Sequence, residues 1–246
     1  MSPFLVLAIL SLCAFGTSII SAVVGMAGGI VLLSLMTFFL PLQVIIPVHG
    51  LVQLISNSTR TWFLRQHVVK PVFFWFCAGL PFGALTSTYI IKTIKDPTPG
   101  YAMIALLIFY TLFKPKKLPH LSIPFPAFIL LGALVGLLGP LIGATGPFLA
   151  PFFLRDDFSK ENIISTKSSV QTMGHLIKVP VFLSVGFPYI EHSAMIITMT
   201  IAAVLGTKAG VELLGKMHEK TFRLIFKTAL FGAALRLLYK IYSSMA

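Results

Sequence analysis

AVVGMAGGIVLLSL, residues 22–35, sets a glycine cluster between two apolar runs, and LIGATGPFLAPFF, residues 141–153, repeats that plan in the second half of the chain. A shift of 118 residues lays Val24-Gly25-Met26-Ala27-Gly28-Gly29 over Ile142-Gly143-Ala144-Thr145-Gly146-Pro147. Without a gap, the same shift lays His49, Gln53, Asn57 and Arg60 over Lys167, Gln171, His175 and Lys178. Exact identities are few, but one offset that joins two separate polar features points to an internal repeat. The proline-rich, basic segment KPKKLPHLSIP, residues 114–124, is the joint between the halves.

Working outward, the rest of the chain is lipid-compatible. Of its 246 residues 57% are hydrophobic and 11% charged, with a mean hydropathy of +0.93. Soluble domains carry roughly 25% charged residues. At about 20 apolar residues per crossing the length admits at most about ten helices. The expectation is an all-α integral membrane protein. The net charge of +12 is then a topology signal and not a nucleic-acid signal, since no aromatic-basic binding module accompanies it. Cys13 and Cys77 stand alone in apolar runs and exclude a disulfide framework or a CxxC pair. The N-terminal apolar stretch has no basic region before it, and is expected to be the first membrane element and not a cleaved signal peptide.

Loop charges decide the topology. With eight simple alternating crossings, six basic residues fall on one side and seven on the other, which leaves no bias. If residues 4–40 and 124–154 are instead hairpins that turn at their glycine clusters, ten basic residues gather on one side against Lys92, Lys95 and Lys240 on the other. The ten mark the cytoplasm, in loops around residues 66, 117, 158 and 218, and both termini are extracytoplasmic. Trp62 and Trp75 flank the first of these loops as interfacial anchors. The expected fold is two inverted repeats, each a broken-helix hairpin plus three transmembrane helices. Residues 1–117 hold hairpin 4–40 and helices 43–64, 71–91 and 100–114; residues 118–246 hold hairpin 124–154 and helices 161–185, 191–214 and 220–242. In such transporters the substrate sits near the midplane, where half-helix N-termini face its anionic groups.

The polar residues fit that expectation. The spacing of 4, 4 and 3 in each set puts His49, Gln53, Asn57 and Arg60 on one helix face, and Lys167, Gln171, His175 and Lys178 on another. A Lys or Arg at a helix centre costs about 2.5–3.5 kcal/mol on insertion scales, so such residues face a cavity or pathway. The glycine turns expose backbone N–H groups at helix starts, where anions bind. The predicted substrate-binding residues are Gly28, Gly29, Gln53, Asn57, Thr145, Gly146, Gln171 and His175. His49, Arg60, Lys167 and Lys178 are predicted to form the pathway, steering anions without choosing among them. Gly79-xxx-Gly83, Gly132-xxx-Gly136 and Gly206-xxx-Gly210 read as helix-packing motifs. All seven carboxylates fall in loops or near helix ends, against a cation channel or an acidic proton relay. No HExxH, GxSxG or Walker loop occurs, and the two stripe histidines lack the partners of a metal site. No enzyme activity, metal or cofactor is expected.

The two glycine turns, each followed by a polar helix and a small-residue helix, resemble the sulfite exporter TauE/SafE family over the whole chain. The family's glycine triplet is reduced here to Gly28-Gly29 in the first copy and Thr145-Gly146-Pro147 in the second. The resemblance implies transport, with export favoured, of sulfite, sulfonates, sulfoacetate or related small organic or inorganic anions across a prokaryotic plasma (inner) membrane. The expected partners are that anion and the lipid bilayer, without nucleic acid; the sequence is compatible with a single chain and with a homo-oligomer. A non-transporting membrane assembly or receptor component is the alternative class, though it has no need of two repeat-related polar stripes.

Overall fold

The structure, a computed structural model, describes residues 2–24, 28–94, 96, 98–113, 122–153 and 155–213, with residues 231, 235 and 242 singly. Helices α1 Pro3–Val24 and α2 Gly28–Met36 flank the first glycine cluster, whose residues 25–27 lie outside the described set. Then come α3 Leu42–Phe63, α4 Lys70–Thr93 and α5 Thr98–Phe113. The second half holds α6 Phe128–Ile142, α7 Gly146–Phe153, α8 Lys160–Leu176, α9 Lys178–Ser184 and α10 Ser193–Glu212. No strand occurs among the described residues. Apart from residues 231, 235 and 242, the last helix expected at 220–242 lies outside them, as do the basic segments around 117 and 218 and Gly25.

The described glycines of the two clusters serve different ends. Gly143 ends α6 with φ +79°, a left-handed conformation that costs glycine little, and its N–H donates to Gly139 O at 2.9 Å. At the first cluster α2 folds back on α1: a Cβ at Gly28 would overlap the Thr17 carbonyl oxygen and the Ser21 Cβ, so only glycine fits that crossing. The span expected as one helix over 161–185 is interrupted at Ile177. The reason is Pro180, which lacks an N–H and whose ring crowds the carbonyl of Leu176.

Four helical segments, Pro3–Ala22, Lys70–Thr93, Phe125–Ile142 and Ser193–Glu212, are long and apolar enough to cross a membrane. They turn large apolar side chains such as Leu12, Phe82, Leu85, Leu130 and Ile201 outward, 56–72% exposed. Buried inside are Arg60, Lys167, Lys178, His49 and a series of Ser and Thr. This inversion of the soluble pattern suits a lipid surroundings around a polar centre.

Packing pairs the halves. α1 packs on α10, α4 on α6, α3 on α8, and α2 meets α7. Where α4 crosses α6 the backbones touch: a Cβ at Gly79, Gly83, Gly132 or Gly136 would overlap a carbonyl oxygen of the facing helix, of Ile129, Ala133, Phe76 and Leu80 respectively. Gly206 sits likewise on the Phe15 carbonyl. These glycines therefore set interhelical distance, as their spacing predicts. The N-terminal end of α8 carries a capping box, Ser159 with Asn162. It docks on the α3–α4 connection through Asn162 Nδ2 to His67 O (2.8 Å), Ser165 Oγ to Leu64 O (2.7 Å) and Val69 N to Thr166 Oγ1 (2.9 Å).

Candidate functional site

The polar faces of α3 and α8 meet at the centre. A cavity of about 10 Å³, room for about one water molecule, is lined by Gly29, His49, Gln53, Asn57, Gln171 and His175, with Ser21, Ile30, Ala144, Gly146 and Pro147 completing it. The first turns of α2 and α7 thus open on the same space, and each presents main-chain N–H groups without helical partners. A tetrahedral or pyramidal oxyanion is larger than this space, so its entry requires the lining to move apart.

Hydrogen bonds fix the lining. His49 Nε2 donates to Gly29 O at 2.8 Å, which ties α3 to the start of α2 and leaves Nδ1 buried with no partner. Asn57 Nδ2 donates to Gln53 O at 2.9 Å and more weakly to Gln53 Oε1 at 3.4 Å. Across the cavity the His49 and His175 rings stand edge to face, 5.8 Å between centroids. Lys178 Nζ donates to His175 Nδ1 at 3.1 Å and to the Gly143 carbonyl. A cation at that carbonyl also complements the C-terminal end of α6.

Six of the eight predicted binding residues share this cavity: Gly29, Gln53, Asn57, Gly146, Gln171 and His175. Gly28 does not; it faces α1. Thr145 is buried beside the cavity without lining it, its carbonyl accepting from Leu149 N at 3.2 Å as α7 starts. Of the predicted pathway residues, His49 lines the cavity itself, and Lys178 holds the Gly143 turn. Arg60 and Lys167 are each 1% exposed and outside the lining. Ser21 was not anticipated. Its signal is the run Thr17, Ser18, Ser21, three buried hydroxyls in an otherwise apolar helix just before the glycine turn.

A second, larger cavity of about 550 Å³ lies between the start of α3, the ends of α4 and α6, and the segment after α9. Its walls are mostly Ile, Leu, Met, Phe and Pro, with Gln43 and Asp96 the polar exceptions. Size alone would favour it, but it offers an anion a carboxylate and almost no donors, whereas the small central cavity concentrates amides, imidazoles and helix starts.

Among the described residues no Asp or Glu is buried, while Arg60, Lys167 and Lys178 are 1–2% exposed. Such a centre suits a mobile anion as counter-charge. No curated protein and no solved structure matches the chain. The profile of one family, described as Sulfite exporter TauE/SafE, matches residues 10–237, nearly the whole chain. With its outward apolar helices and cationic centre, the chain belongs to the sulfite exporter TauE/SafE family of multi-pass membrane transporters of sulfur-containing anions.

Proposed function

We propose that the protein exports sulfite, sulfonates, sulfoacetate or a related small sulfur oxyanion across a prokaryotic inner membrane, binding it at the central cavity. The observation that carries this reading is the set of buried cations with no buried carboxylate among the described residues. A cation buried without compensation, as Arg60 is with its Nε and Nη2 unpartnered, costs several kcal/mol, and an anionic substrate supplies the missing charge. Gly29, Gln53, Asn57, Gly146, Gln171 and His175 contact the substrate, His49 reaches it from the edge, and Lys178 keeps the second glycine turn in place.

The two halves, 1–117 and 118–246, act as inverted repeats in this proposal. Support comes from the offset of 118, which carries α2 Gly28–Met36 onto 146–154, against α7 Gly146–Phe153, and α3 Leu42–Phe63 onto 160–181, against α8 and α9. Exchanging each element for its counterpart turns the α1/α10 pair into α6/α4 and returns α3/α8 and α2/α7 to themselves, as a two-fold relation would. Loops around 66 and 158 then face the cytoplasm, and the termini face out. An impermeant thiol reagent should modify a cysteine placed at 158 only from the inside; reaction from outside defeats the inverted arrangement.

Transport is an electrogenic uniport, in which an interior-negative potential drives anions outward with about 2.3 kcal/mol per charge per 100 mV. Flux of labelled sulfite and sulfonates into proteoliposomes tests function and coupling together. Flux that follows an imposed potential without a pH gradient supports the reading. Flux driven by a pH gradient alone, and abolished in His175→Gln, replaces it with proton coupling. Absence of flux for all these anions favours the assembly or receptor role.

A further inference from the structure

Arg60 carries more than a steering role. It lies near the C-terminal end of α3, 1% exposed, and only its Nη1 has partners: Asn57 Oδ1 at 3.4 Å and Ser168 Oγ at 3.5 Å. Nε and Nη2 are buried and have none. No ion pair to Arg60 exists among the described residues. A guanidinium does not lose its proton inside a protein, so neutralisation is no escape, and the charge calls for an anion.

The position of the open groups specifies the kind of anion. Nε–H and Nη2–H lie side by side on one edge of the planar group, and that edge matches two oxygens of a carboxylate, phosphate or sulfur oxyanion. Arg155, in the α7–α8 connection, shows the arrangement occupied: its Nε and Nη2 donate to Asp157 Oδ1 and Oδ2, both at 2.8 Å. Arg60 presents the same edge in the interior with no protein acceptor. Asn57 links it to the centre, since one amide both lines the cavity and touches Arg60 Nη1. Three residues along a helix separate the two by about 4.5 Å. Lys167, next to Ser168 on α8 and equally buried, adds positive charge from the facing helix.

We propose that Arg60, buried between α3 and α8 with its Nε and Nη2 edge unpartnered, is a second oxyanion-binding station, holding a sulfite- or sulfonate-type anion by two hydrogen bonds one helical turn from the central cavity. The proposal deepens the transport reading above and rests on it. Its consequence is asymmetry. Lys178, the counterpart of Arg60 in the repeat, is occupied by the Gly143 carbonyl and His175, so the station exists only on the side of the α3–α4 connection, where an exporter would load.

The test uses the full chain in lipid nanodiscs and proteoliposomes, with sulfite and methanesulfonate as probes. Arg60→Lys keeps the charge and removes the fork. It should weaken sulfite binding by about tenfold or more and lower flux at subsaturating sulfite similarly. Arg60→Gln, relieved of an unpaired charge, should unfold at a higher temperature than wild type in chloride buffer, and sulfite should stabilise it less than it stabilises wild type. Binding and flux in Arg60→Lys within about twofold of wild type would overturn the proposal, because a point charge would then suffice. A marked loss of stability in Arg60→Gln, or failure of both variants to fold, would also overturn it by making Arg60 a structural group. Wild type that neither binds nor moves either probe defeats the transport reading itself, a result separable from both.

Discussion

α3 and the α8–α9 pair carry the same polar spacing, yet they use it differently. In α3 the face runs along one continuous helix from His49 to Arg60, and the terminal cation has two N–H groups with no partner. In the second half Pro180 breaks the helix at Ile177, between His175 and Lys178. The break lets Lys178 turn to the Gly143 carbonyl while holding His175. One cation is held by the fold, and the other has the open edge on which the proposed anion station rests. Positions that the 118-residue offset aligns therefore need not share a role: Lys178 closes the Gly143 turn, whereas Arg60, in the last turn of α3, keeps an open edge.

The largest effect expected from breaking this contrast is on stability. Lys178→Met leaves the Gly143 carbonyl and His175 Nδ1 without their donor, at a cost of about 2–4 kcal/mol for two buried acceptors. Denaturant unfolding of the purified protein should show it, and a variant as stable as wild type would remove Lys178 from the fold and return it to the pathway. Gln171→Ala should be next. Loss of a donor to a charged substrate costs about 1.5–3 kcal/mol of binding, or about ten- to a hundredfold in Kd, with little change in unfolding. The counterpart Gln53→Ala should behave similarly in sulfite titrations; a large stability loss in either would make these amides structural.

Smaller effects sharpen the comparison. Pro180→Ala restores an N–H to reach the Leu176 carbonyl and should make α8–α9 continuous, as α3 is, shifting stability by about 1 kcal/mol in either direction. Hydrogen exchange at residue 180 reports it: a protected amide there is expected, and a freely exchanging one would mean that something other than the proline causes the break. The least effect belongs to the pair Arg155–Asp157, whose carboxylate is exposed. The Arg155 side chain, hydrogen-bonded to Asp157, holds its carboxyl below the usual carboxylate range. A depressed folded value stabilises above the unfolded pKa, about 3.9, and the gain is lost as pH falls through the folded value. Asp157→Asn should therefore cost less than about 1 kcal/mol at pH 7 and nothing below the range where Asp157 protonates. A cost that persists there would point to the Arg155 contact with the Ile123 carbonyl.

Composition alone was enough to read a helical membrane protein, because a chain with only 11% charged residues cannot keep a surface of so many apolar residues solvated. Helical spacing put Gln53 with Asn57 and Gln171 with His175, since residues one helical turn apart share a face whatever the tertiary fold, and the glycine turns added Gly29 and Gly146. The six come together at one cavity. Periodicity cannot tell which way a glycine faces, and Gly28 went to the α1 crossing while its neighbour Gly29 went to the cavity. Nor could it tell that His49 lines the centre, that Lys178 caps a turn 35 residues away, or that Arg60 keeps an open edge. Helix faces repeat every few residues and are written locally. The partner of a side chain is set by which helices cross and how closely, and here that depends on glycine contacts between α4 and α6 and on one proline in α9.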